Sequence, residues 1–83
     1  MENTVVIKEQ KIETSDQPIK LVLEETEETA GIMSMKTYKC TKLSTYPNQS
    51  IKYEPMFIAY QKRTAEILMD LITKEIQDQG RLA

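Results

Sequence analysis

Apolar and polar residues alternate most cleanly over residues 19–24, IKLVLE. Ile19, Leu21 and Leu23 fall on one side and Lys20, Val22 and Glu24 on the other, the period-two signature of a half-buried strand. Residues 4–13, TVVIKEQKIE, open with β-branched residues and predict a preceding strand. Thr14 to Pro18 supplies the turn of a hairpin between them. Strand character is expected to persist to about residue 26, with the glutamates beyond forming a loop that ends at Gly31. Residues 32–45 predict a long third strand, since threonine, tyrosine and isoleucine suit a pleated surface. Its alternation is imperfect: Met33 and Met35 share one face and Ile32, Tyr38 and Cys40 the other. Either both faces are partly covered or a bulge shifts the register. A turn at residues 46–49 leads to a short fourth strand at 50–53.

The pattern then changes period. Pro55 suits a first helical position and Gly80 a stop, and the intervening residues contain no breaker, so a helix is expected over 55–79. Stepped at 100° per residue, Phe57, Ile58, Ala65, Leu68, Met69, Ile72 and Ile76 share one side. Tyr60, Ile67 and Leu71 widen the apolar arc to about 200°, twice the ≳100° stripe of an ordinary surface helix. Lys62, Glu66, Asp70, Thr73 and Gln77 lie opposite. The expected architecture is α+β: a small antiparallel sheet of three to four strands followed by one long C-terminal helix packed on it, a single domain over residues 1–83. One thin sheet covers about half of so wide an arc. The excess predicts a homodimer or higher oligomer through Tyr60, Ile67, Met69, Leu71 and Ile76.

Composition narrows the chemistry. Eighty-three residues make one small domain, which buries only about 60% of its unfolded surface. A single cysteine excludes an internal disulfide, and the absence of histidine argues against zinc and removes the usual neutral-pH base. Two glycines cannot build a phosphate loop, a dinucleotide fingerprint or a nucleophile elbow. Cys40, inside a strand with no activating base, reads as a buried structural thiol. Glu66 and Asp70 lie four apart with Lys62 and Lys74 at the same spacing, which reads as a solvated ion-pair face. No enzyme, cofactor or metal is expected. Of the methionines, Met33, Met35, Met56 and Met69 read as core filler. No apolar run reaches the roughly 20 residues that cross a bilayer, and the first residues lack the pattern of a secretory signal, so the expected location is cytoplasmic and no membrane partner is implied.

Net charge is −2, but it is segregated. Residues 1–28 carry eight acids against three lysines, while residues 29–53 carry four lysines and no acid. The acidic run Glu24, Glu25, Glu27 and Glu28 is a candidate partner surface, weighed against a solvated or blunted strand edge. Lys36, Lys39, Lys42 and Lys52, interleaved with Tyr38, Tyr46 and Tyr53, hold the ingredients for single-stranded nucleic acid, in which lysines neutralise phosphates and tyrosines stack on bases. A sheet followed by a long helix resembles in outline the positive-cofactor family, which binds single-stranded DNA; no family motif accompanies that outline. Lysines spaced by three cannot all share a strand face, and pairing with the hairpin's glutamates accounts for them more economically. The leading expectation is therefore a non-catalytic interaction module, a regulator, adaptor or inhibitor of the kind phages and mobile elements encode, with an unidentified protein partner. The alternative is a nucleic-acid binder using the lysine- and tyrosine-rich strand.

Overall fold

A computed structural model describes residues 2–13 and 17–82, with side chains described as far as residue 79. Four strands form one antiparallel sheet in chain order, β1 Glu2–Ile12, β2 Ile19–Ala30, β3 Met33–Thr45 and β4 Ile51–Ala59. A single helix, α1 Lys62–Leu82, follows. The chain is thus α+β, a meander closed by a helix. The predicted turn residues 14–16 lie outside the described residues.

Registered partners point to the same side of a sheet, so the pairing defines two faces. One face carries Ile12, Ile19, Leu21 and Leu23 from β1 and β2, with Tyr38 and Cys40 from β3 and Phe57 and Ala59 from β4. The helix packs on it: Ala65 and Met69 join these residues in one buried cluster, with Ile72 and Ile76 against its margin. Leu21, Leu23, Cys40, Ala65 and Met69 are wholly excluded from solvent. The other face carries Lys20, Val22, Glu24 and Thr26 from β2, flanked by Lys39, Thr41 and Leu43 from β3. No other helix or strand lies among the described residues to cover it.

Two strands are bulged. The β1–β2 register slips between Val6 and Lys8, and the β3–β4 register between Cys40 and Thr41. Each slip leaves an extra residue, Ile7 and Met56, and both pack against the core. A bulge of this kind turns an additional apolar side chain toward a buried face. The β2–β3 connection is a two-residue loop, Gly31-Ile32, with Gly31 at φ +65°. Glycine at the first position of such a loop supplies the positive φ that matches the twist of the flanking strands.

The helix begins at Lys62, seven residues later than the sequence pattern predicts, and β4 runs on to Ala59. Phe57 and Ile58 pair with Cys40 and Lys39, because an apolar, β-branched run satisfies a sheet edge as well as a helix stripe. Pro55 sits in this edge strand. The amide of Thr45 bonds the Pro18 carbonyl on the β2 side, so alternation turns Ser44 and its partner Lys52 toward each other and turns Ile51, Tyr53 and Pro55 outward. The nitrogen of Pro55, which has no hydrogen, therefore faces the free edge, where proline is tolerated. The inner face of the helix is also rotated from the predicted one. Thr73, placed on the polar side by the longer helix, is buried, and its hydroxyl donates to the Met69 carbonyl at 2.8 Å. That bond satisfies a group that would otherwise be costly to bury.

Candidate interaction surfaces

Of the five residues predicted at an oligomer interface, two belong to the subunit's own packing. Met69 is fully buried in the core and Ile76 packs against it. Tyr60 lies before the helix, at the end of β4, and is exposed. Ile67 and Leu71 remain on the helix, one turn apart, at 52% and 57% exposure. At 100° per residue, Ile67 points directly away from the Ala65–Met69–Ile76 side and Leu71 lies beside it. The wide apolar arc therefore divides into an inner stripe on the sheet and a narrow outer stripe in solvent.

The lysine- and tyrosine-rich segment is dispersed by the pleat. Lys36, Tyr38, Lys42 and Lys52 project on the helix-bearing face, and Lys39 and Tyr53 on the open face. Tyr46 lies in the turn between β3 and β4. Lys36 Nζ stands 3.8 Å from Glu25 and 3.9 Å from Glu27, and Lys42 Nζ stands 3.8 Å from Glu54. Tyr38 is buried. Burial first, and then the hydrogen bond its hydroxyl donates to Glu25 together with that carboxylate's charge, raise its pKa above the ordinary 10. A buried ring cannot stack on a base.

The acidic run is likewise divided. Glu25 and Glu27 face Lys36, and Ser34 adds a hydrogen bond to Glu27 at 3.1 Å. Glu24 and Glu28 lie on the open face, Glu24 opposite Lys39. Cys40 is buried, and burial pushes its thiol up to about 11, the opposite of an activated nucleophile. Asp70 pairs with Lys8 of β1 at 3.6 Å, not with its helical neighbours, and ties the helix to that edge. Two of the four methionines expected in the core are there or beside it, Met69 and Met56; Met33 and Met35 are exposed near the hairpin tip. Tertiary pairing places them on the open face beside Ala30 and Glu28.

What the sequence pattern did not reveal is an apolar margin on the open face. From β4, Ile51, Tyr53, Pro55 and Ile58 all point there, and Ile51, Tyr53 and Ile58 are 46%, 65% and 61% exposed. The signal was present as alternation in IKYEP, with Ile51, Tyr53 and Pro55 on one parity and Lys52 and Glu54 on the other. It was hidden by assigning residues after Pro55 to a helix. A cleft of about 380 Å³ opens at the sheet end between Pro18, Leu43 and Ile51, with Lys11 and Lys20 also in its lining; Lys20 is paired with Glu9 at 3.4 Å. No group of three or more potential metal-ligating side chains occurs among the described residues. No helix among them is long and apolar enough to cross a membrane.

No family model, no curated protein and no solved structure matches the chain.

Proposed function

We propose that this chain is a small non-catalytic interaction module, acting in the cytoplasm as a regulator, adaptor or inhibitor, and that it self-associates through the outer stripe of α1. The observation that carries the reading is the pair Ile67 and Leu71. They lie one helical turn apart, are more than half exposed, and stand on the side of the helix that its own sheet cannot reach. Two branched apolar side chains at i and i+4 form the seam that a second helix covers. The occupant is a second copy of the chain. The nucleic-acid alternative needs lysines and rings on one surface, and here they are divided between two faces with Tyr38 buried.

Light scattering over a concentration series tests the proposal. The wild-type chain is expected to exceed the monomer mass, and Ile67→Glu with Leu71→Glu is expected to lower it while leaving the far-ultraviolet spectrum unchanged. A mass that the double variant does not alter would remove the helix from the interface.

A further inference from the structure

Beyond the helix contact, we infer a second self-association surface: the free edge of β4 pairs antiparallel with β4 of another copy, about a twofold axis through Tyr53, to make a continuous eight-stranded sheet.

Three features of residues 51–55 lead to it. The first is backbone. Alternation leaves the N–H and C=O of Ile51 and Tyr53, and the C=O of Pro55, directed at the edge. A pair centred on Tyr53 joins the Tyr53 amide of each copy to the Tyr53 carbonyl of the other. It also joins each Ile51 amide to the opposite Pro55 carbonyl. The missing proline hydrogen leaves only the Ile51 carbonyl without a partner, so this register costs one bond per strand.

The second feature is charge. Centring on Tyr53 sets Lys52 of each copy opposite Glu54 of the other, on the helix-bearing face. Glu54 already stands 3.8 Å from Lys42, so the carboxylate would lie between two ammonium groups. Moving the axis one residue either way sets Lys52 against Lys52 or Glu54 against Glu54. Like charges directly opposite are destabilising, and opposite charges stabilise. Lysine and proline also blunt strand edges against indiscriminate pairing; here the alternating charges discriminate between registers, as blunting alone would not.

The third feature is the open face. The same register brings the two Tyr53 rings together and sets Ile51 opposite Pro55, joining the exposed apolar margins of the two copies. The other free edge has a smaller apolar margin on that face, where β1 presents Glu9 and Lys11 with Val6 exposed beside them. With the axis perpendicular to the sheet, both helices stand on the same side, and their outer stripes stay available for the contact proposed above.

The test is a charge exchange in the Ile67→Glu, Leu71→Glu background, which removes the helix contact so that the two surfaces report separately. In that background the parent chain is expected to dimerise at millimolar concentration. Lys52→Glu and Glu54→Lys are each expected to weaken the dimer about tenfold, as two matched pairs become repulsive. Mixing the two variants restores complementarity at both pairs and is expected to recover a one-to-one heterodimer. Tyr53→Pro, which removes the central donor without touching a bond to β3, is expected to abolish it. A parent that stays monomeric at that concentration overturns the inference. So does a dimer that both charge variants leave unchanged, or variants that weaken it and fail to recover on mixing.

Discussion

The two ends of the β2–β3 ribbon share strands, pairing and period, yet they are built from different chemistry. Near the helix, the side chains facing it are Leu21, Leu23 and Cys40, none of which reaches solvent. Farther along the same face they become Glu25, Glu27, Ser34 and Lys36, joined by ion pairs and a hydrogen bond. Tyr38 stands at the border, its ring buried and its hydroxyl bonded to Glu25. The change falls where the cover ends. A 21-residue helix is about 31 Å long at 1.5 Å per residue, against a molecule 50 Å in its longest dimension. Under the helix a strand needs apolar residues on alternate positions; beyond it the same positions need only partners that tolerate water.

The largest effect expected from breaking this contrast is at Leu23. Leu23→Ala leaves a cavity between the sheet and Met69, and such truncations cost about 2–5 kcal/mol. A domain of this size has little more than that to lose. Thr26→Ala, three residues along the same strand on the open face, loses a hydroxyl bond to Thr4 at 3.1 Å and is expected to cost no more than about 1 kcal/mol. Urea unfolding of both variants measures the difference, and equal costs would mean that the helix does not organise the core.

Alkaline pH probes the same border. Cys40 ionises near 9 when exposed and near 11 in the fold, so between those values the unfolded chain loses a proton that the folded chain keeps. The raised folded pKa makes this contribution fully present below pH 9 and lost as pH rises through 11. It amounts to roughly 2–3 kcal/mol at most. Tyr38, raised in the same direction, adds to the loss above pH 10. Stability measured at pH 7 and pH 10 should fall for the wild type, and the fall should be smaller in Cys40→Ala. An unchanged pH dependence in that variant would assign the effect elsewhere.

How much of this was legible in the sequence follows from how local each determinant is. The period of Ile19, Leu21 and Leu23 needs only one strand to be read, and it places the core correctly. The run from Pro55 to Ala59 satisfies a helix stripe and a sheet edge equally well. Only pairing with Tyr38, Lys39 and Cys40 decides it, and a single strand carries no trace of its neighbour's register. Glu24 to Glu28 favour a helical turn or loop when taken alone; opposite Lys36 and Lys39 they extend a ribbon. The charges of the candidate surfaces could be counted from sequence, and plain alternation along β2 and β3 divides them between two faces; which partner each one meets required the pairing register. Tyr38 was misplaced as an exposed ring because its burial depends on where the helix starts.

The smallest effect belongs to the far end of the ribbon. Lys36 offers one ammonium to two carboxylates at 3.8 and 3.9 Å, and it is about half exposed, as is Glu27. Water screens such pairs, and their measured worth is typically 0–1 kcal/mol. Lys36→Met keeps the aliphatic stem against the sheet and removes only the charge. The expected cost is therefore below about 1 kcal/mol. It should vanish near 1 M salt, where the screening length falls to about 3 Å. Glu25 retains the bond from Tyr38, which stands without the lysine, so the border itself should hold. A loss as large as that of Leu23→Ala, persisting in salt, would show that charge holds the ribbon together along its whole length, and the distinction between its two ends would collapse.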